Sequence, residues 1–236
     1  MRPFPKHLLS TFAVLAAMAA APLAAAQDAS VLRIHGTLSV KKADGSARIL
    51  SQGSQVASGD TLSTAQGSYA LVRFRDGAQV LLKPGSAVRI DSFSFSDDKP
   101  QDDLFSYSLL HGGLRAATGT IGRRSASKYN LATATVGVRG KTFSVDDCVS
   151  ERGDACAARD RAIYVQVTDG DATVSNERGE IGLSAGQVGL IAPDQRPLFL
   201  NADPGLQFTP PPTFIRSVMA GSIVNTGRNL ECAITR

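Results

Sequence analysis

An all-β domain is the fold the sequence predicts, on three observations. Through residues 31–200 apolar and polar residues alternate with period two. The alternating runs are bounded by turn pairs such as Asp76-Gly77, Pro84-Gly85 and Asp169-Gly170 at close, regular spacing. No segment of that region carries an apolar stripe of helical period. Successive side chains of a strand point to opposite faces, so such a pattern reads as short strands joined by hairpins. A faint internal repeat adds to it. Gly36, Val40 and Gly45 match Gly170, Val174 and Gly179 at one offset; with a one-residue gap, Leu50-Ser51 and Gly53 match Leu183-Ser184 and Gly186. Repeated strand–turn–strand units point to a solenoid-like stack or β-roll of short strands and hairpins. Hairpins that share a small vocabulary of Val, Gly and Ser would give the same matches, which keeps a β-sandwich as the alternative.

The elements follow in chain order. Residues 1–26 read as a secretory signal peptide: Arg2, Lys6 and His7 form a basic start, an apolar stretch follows, and Ala24-Ala25-Ala26 offers a small-residue cleavage site. Cleavage near Ala26 would leave Gln27 first and place the product in the periplasm or outside the cell. Residues 27–200 form the β domain. In "YALVRFR", Ala70, Val72 and Phe74 share one face while Tyr69, Leu71, Arg73 and Arg75 share the other. Asp76-Gly77 turns the chain into "AQVLLK", and Pro84-Gly85 turns it again. In "AIYVQVTDGDATV", Ile163, Val165 and Val167 share a face before Asp169-Gly170 turns the chain. Residues 201–236 are a Pro-rich linker and tail, because Pro cannot donate to a sheet ladder. There Phe214, Val218 and Ile223, widened by Ile215 and Met219, make one side of a short helix over 213–224, expected to dock on the β domain.

Charge and cysteines narrow the function. Without residues 1–26 the chain holds 23 basic and 21 acidic residues, a net of +2 that is too mild to argue for nucleic acid. Asp91 to Asp103 contains five Asp against one Lys, whereas Leu104 to Val145 contains no acidic residue at all. That second stretch carries Arg115, Arg123, Arg124, Lys128, Arg139 and Lys141, which together would attract an anionic surface. The alternative is that the Asp-rich loop folds back and neutralises this face, or that alternating strand positions scatter the six charges. "GTIGRRSAS" reads as a loop, so Arg123 and Arg124 are the residues expected to be exposed. Cys148 and Cys156 bracket a polar loop and are expected to form a local disulfide in an oxidising compartment. So small a ring stabilises by roughly 2–3 kcal/mol on a chain-entropy account. Cys232 is left over.

Several chemistries are excluded. "ATVGVRGKTFSV" at 134–145 holds a Gly-Lys-Thr, yet Thr135 stands where a phosphate loop needs its first Gly. A strand, not a helix, follows Lys141, so no helix N-terminus faces a phosphate and no nucleotide is expected. His35 and His111 lie in no nucleophile motif, and they are too few for a metal centre. Paired carboxylates have no sequence signature, but the chain has no Trp and only four Tyr for stacking a sugar. No catalytic residue, metal or cofactor is expected.

At this point the residues resemble the FecR domain family. The family's pattern is carried by Gly53, Gly59-Asp60-Thr61-Leu62-Ser63-Thr64, the strand ending at Phe74, Asp76-Gly77-Ala78 and Val80–Leu82. Gly113-Leu114-Arg115 looks like its Gly-apolar-Arg step, and "ATATVGVRGKTFSV" its Gly-Val-Arg-Gly segment, with Lys141 where Thr is usual. The match runs over roughly 35–192. It implies that Gly137 and Gly140 are turn residues between two strands, like Asp76 and Gly77, with Arg139 capping or bridging neighbouring rungs. It also implies an extracytoplasmic domain of sensory or regulatory kind. Membrane-spanning FecR proteins act on a sigma factor from a cytoplasmic segment, whereas here a leader is read in that place. The resemblance therefore implies a non-enzymatic subunit whose partner is an envelope protein: a membrane receptor, transporter or signalling enzyme. A module for an anionic or glycan cell-wall polymer is the alternative.

Overall fold

The alternating runs become strands where their period places them. The computed structural model describes residues 27–124, 127–130, 134–150, 156, 159–206, 210 and 214, and these build one 15-stranded sheet. Among the described residues every ladder is antiparallel except one, between β9 and β10. The all-β expectation holds.

The sheet folds over into two layers. The first contains β1 (Ala29–His35), β4 (Gln55–Val56), β6 (Tyr69–Phe74), β7 (Gln79–Leu82), β14 (Val188–Ile191) and β15 (Leu198–Leu200). The second contains β2 (Leu38–Lys41), β3 (Ala47–Ile49), β5 (Thr61–Thr64), β8 (Ala87–Ser94), β10 (Ser127–Asn130) and β13 (Gly179–Ser184). Three long strands, β9 (Leu104–Ala117), β11 (Thr135–Asp147) and β12 (Ile163–Asn176), run through both. β9 pairs with β8 over its first half and with β7 and β11 over its second. β12 pairs with β14 before Asp169 and with β13 after Gly170, and β11 accompanies it throughout.

A strand that changes layer must bend sharply, and glycines mark the bends. Gly112 and Gly170 take φ of 82° and 89°, a region open to Gly at little cost. β11 bends at a register shift between Gly140 and Thr142. This corrects three expectations. Gly137 and Gly140 are not turn residues between two strands: both lie inside β11, which stays one strand because β9, β10 and β12 pair along it. Asp169-Gly170 is likewise a bend within β12, not a hairpin. Pro84-Gly85 carries the chain from one layer to the other instead of pairing β7 with β8. Asp76-Gly77 does make its hairpin, between β6 and β7. The internal repeat survives as two hairpins, β2–β3 and β12–β13, each flanked by left-handed glycines.

The inward faces of both layers make that core. Ala70, Val72 and Phe74 face it as their alternation requires, with Ile163, Val165 and Val167, against Leu62, Ile90, Val136 and Val174 of the second layer. Phe74, Phe93, Phe105 and Tyr107 stack through it with ring centroids 4.5–5.6 Å apart. The other face of the first layer is covered at Leu71 and Leu81. Phe214 packs on Leu71 and Leu81, so the tail docks at that residue; the rest of the 213–224 helix, the leader and Cys232 lie outside the described residues. The Cys148–Cys156 disulfide is present, with Cα atoms 5.4 Å apart. Among the described residues no helix is long and apolar enough to cross a membrane.

The bends are testable by contrast. A Cβ at Gly112 would meet Gly85 carbonyl oxygen and Ser86 Cα, both at 2.6 Å, whereas one at Gly45, also at positive φ, would meet nothing. Gly45→Ala should cost about 1 kcal/mol from φ alone. Gly112→Ala should cost about 3 kcal/mol, since overpacking adds to the strain; urea denaturation of the two variants checks the difference.

Candidate functional site

Of the six cations in the basic stretch, the three whose side chains are described, Arg115, Arg123 and Arg124, do not form one exposed patch. Arg123 and Arg124 end a single helical turn, α1 (Thr120–Arg124), where a loop was expected. Asp76 creates that turn: its carbonyl accepts from the Thr120 N–H at 2.9 Å, and its carboxylate accepts from the N–H groups of Ala78 (3.0 Å) and Ile121 (3.2 Å). Arg123 is exposed and donates to Thr120 Oγ1 at 3.0 Å. Arg124 reaches Asp97 at 3.7 Å and Asp103 at 3.5 Å, so the Asp-rich loop does fold back over this corner. Arg115 is no part of an exposed patch. It lies in β9 between Leu81 and Ser144, only 7% exposed, because that face of the first layer is covered. Lys128 pairs with Gly137 and Arg139 with Asp171; the side chains of these two cations and of Lys141 lie outside the described residues.

A charged cluster that the sequence did not single out sits on the covered face. Lys83, just past β7, donates to Asp146 Oδ1 at 2.6 Å and to the Leu206 carbonyl at 3.1 Å. Arg159 donates to Asp146 Oδ2 at 2.8 Å, and to the carbonyls of Pro204 (3.2 Å) and Gly205 (2.7 Å). Burial pulls the Lys83 ammonium below its ordinary pKa, opposed by Asp146. The cluster ties the sheet to the residues after β15, and Gly113 makes room for it, since a Cβ there would collide with Asp146 Oδ1. Asp147 turns its carboxylate to the N–H groups of Val149 and Ser150 and so starts the loop closed by the disulfide. A Lys at the end of an apolar run and a paired Asp146-Asp147 were the available signals, but partners 63 residues apart have no joint signature in the chain.

The FecR-like motif residues have structural work here. Asp60 is buried, accepts from the Ala57 N–H at 3.0 Å and pairs with Lys42 at 2.6 Å. Asp76 builds α1, and Gly113 admits Asp146. One histidine serves structure as well. His111 Nδ1 lies 3.1 Å from the Gly85 carbonyl, which can only accept, so that nitrogen carries the proton. His35 is exposed beside Tyr69. Among the described residues no group of His, Cys, Asp or Glu could hold a metal ion.

Grooves mark two surfaces among the described residues. β15 ends the sheet and pairs only with β14 among the described strands, with Leu198 and Phe199 about half exposed. Beside it lies a shallow groove of about 440 Å³ lined by Arg159, Tyr164, Leu190 and Leu200. The outward face of the second layer has another, of about 490 Å³, whose floor is the cross-strand row Gly137, Thr173 and Gly182, with Asp171 and Ser184 at its side.

The family model described as FecR protein matches residues 60–173. No curated protein matches the chain. Among solved structures, a protein of Parabacteroides distasonis ATCC 8503 described as a "putative anti-sigma factor", solved at 2.50 Å and at 1.65 Å, is 19% identical with a TM-score of 0.46. The match covers 61% of this chain and 61% of that one, so the chain spans about three-fifths of that protein's length. A "cell surface anchoring domain" is 23% identical with a TM-score of 0.27, over 27% of this chain and 84% of its own.

Two outcomes follow from the buried charges. Asp146→Asn leaves Lys83 and Arg159 without a counter-charge and should destabilise by about 3–5 kcal/mol, read by urea denaturation. Burial lifts the Asp76 carboxyl above its ordinary value, against the Ala78 and Ile121 N–H groups and Arg123. The folded chain then holds the extra proton, so this contribution to stability is greatest in acid and falls as pH rises from about 4 through the folded pKa. Asp76→Asn should flatten that part of the stability–pH curve. It should also cost about 1–3 kcal/mol at neutral pH, because the amide nitrogen cannot accept from Ile121.

Proposed function

We propose that this chain, which carries a FecR domain over residues 60–173, is a non-enzymatic regulatory protein of the cell envelope that recognises another envelope protein. The FecR match supports the regulatory role. The leader-like residues 1–26 and a disulfide suited to an oxidising compartment support export to the periplasm or beyond.

The observation that carries the binding mode is the edge of β15, which pairs only with β14 among the described strands. An edge strand presents a row of unpaired backbone groups, and adding a partner strand satisfies them. Leu198 and Phe199 supply apolar anchors on opposite faces of that strand, and the groove along Tyr164 and Leu190 offers a seat for an alternate side chain of the added strand. The occupant this edge fits is an extended segment of a receptor, transporter or signalling enzyme. Arg123 would act as a rim charge that speeds encounter more than it tightens the complex.

A second reading has its own observation. The Gly137–Thr173–Gly182 row is flat, polar and small-residued, which suits a glycan or other wall polymer better than a protein anchor. Photo-crosslinkers at Phe199 and at Gly182 in cells separate the two. One abundant protein adduct from position 199, with none from 182, is the expected result. Wall material captured from 182, with no protein from 199, would replace the regulatory reading by the polymer-binding one.

A further inference from the structure

The strand that ends the first layer reads the same in both directions. β15 is Leu198-Phe199-Leu200, and its register with β14 sets Leu200 against Val188, Phe199 against Gly189 and Leu198 against Leu190. Through β14 the rows continue to Gln166, Val165 and Tyr164 of β12. Val165 belongs to the core between the layers, so Phe199 stands on the inward face. Leu198 and Leu200 share the outward face with Tyr164 and Leu190. Leu198 is 49% exposed and Phe199 52%, so the edge ends in an apolar side chain on each face. Gly189 shapes the inward side. A Cβ there would meet Leu183 at 3.0 Å and Ile181 at 3.3 Å, so its absence lets β14 lie close on β13 and leaves the Phe199 ring to extend the core past Val165.

A foreign strand has to be matched to this edge, whereas a second β15 is matched already. In an antiparallel pair, a two-fold axis at Phe199 sets that residue against its own counterpart, and Leu198 against Leu200 of the second copy. Outward, Leu198 and Leu200 of both copies join the Tyr164 and Leu190 rows. Inward, two phenylalanines meet at cross-strand distance, a pairing that aromatic rings favour. Charge selects the same direction. The charged residues nearest β15 in the chain are Arg196 before it and Asp203 after it. Antiparallel pairing brings each Arg196 to the end where the second copy carries Asp203, while parallel pairing would bring like charges together. Pro197 has no N–H to donate, so the ladder stops there. A two-fold pair also closes on itself and leaves neither β15 for a third copy.

We propose that a second copy of this chain caps the β15 edge, in a two-fold antiparallel dimer that the strand of the envelope protein must open. The inference rests on the reading that β15 is the binding edge, and it gives that site its regulation. The same backbone groups and the same Leu198 and Phe199 serve self-pairing and partner binding, so one excludes the other. Three paired residues and their flanks make a small contact, and interfaces at the small end of the range are weak and reversible. A weak cap shields an edge from uncontrolled pairing and still yields to a matched strand.

Sedimentation equilibrium of the full chain from about 5 to 500 µM reads the association. The unaltered chain should pass from monomer to dimer over that range and go no further. Phe199→Lys should weaken the dimer at least about tenfold with an unchanged circular dichroism spectrum, because a charge replaces the aromatic pair. Should that variant not fold, Leu198→Lys takes its place with the same expected direction. Cysteines in a Cys232→Ser background, oxidised with diamide, read the register. Directly opposed residues have Cα atoms about 4.5–5.5 Å apart, within disulfide reach. Phe199→Cys should therefore cross-link to itself and Leu198→Cys should not, while an equal mixture of Leu198→Cys and Leu200→Cys should give the mixed dimer. A monomer at every concentration, a dimer indifferent to the lysine variant, or self-cross-linking of Leu198→Cys overturns the inference. A monomer beside a foreign protein captured from position 199 sinks this inference alone. A dimer in this register with no foreign adduct from 199 supports the self-pairing and sinks the reading beneath it.

Discussion

Three strands belong to two layers at once, and the architecture depends on the bends that allow it. If β9, β11 and β12 were straight, each would extend one flat sheet, and its apolar face would have nothing to bury against. Bent at Gly112, the Gly140–Thr142 bulge and Gly170, they bring two inward faces together around Phe74, Phe105, Tyr107 and Phe143. The same bends carry the chain between layers without a helix, which is why so few helical residues appear.

Once the core is shared, charge has to be arranged on what remains. Along the row Leu71, Leu81, Ser144 and Gln166 the first layer is buried on both faces, so polar residues alternating away from the core there do not reach bulk water. Lys83, Asp146 and Arg159 meet that constraint by saturating one another, and by using the carbonyls of Pro204, Gly205 and Leu206 as acceptors. A Lys with a depressed pKa beside an Asp resembles a catalytic pair in composition. Its setting differs: every polar contact named here points to a structural partner, and neither open groove includes Lys83 or Asp146. The cluster secures the segment after β15. Arg115 lies on the same face, outside the cluster.

The open surfaces divide the functional possibilities by chemistry. An edge strand with apolar side chains on both faces offers directional backbone bonding and suits a polypeptide. A flat row of Gly and Thr offers small polar contacts without an anchor. Placing them on different layers lets the two readings be separated by position along the chain.

Alternation made the strands legible, along with the face each presents: Ala70, Val72 and Phe74 inward, Tyr69 and Leu71 outward. Turn chemistry located the Asp76-Gly77 hairpin, and local spacing located the disulfide, because each of these depends on neighbours in sequence. The glycines at 112, 137, 140 and 170 show where that logic ends. Local sequence marks a residue free of Cβ constraint, but whether the chain there reverses, bends or runs straight depends on which strands pair on either side. The basic stretch is the same case. Six cations without a local acid were visible, while the burial of Arg115, the pairing of Arg124 with Asp97 and Asp103, and the Lys83–Asp146 contact were not. The sequence by itself thus determined secondary structure, facing and local cross-links, since those follow from backbone geometry over a few residues. Only the tertiary structure decided which charges are covered, which are paired and which edge is open, because these arise between residues tens of positions apart that the folding of the sheet brings together.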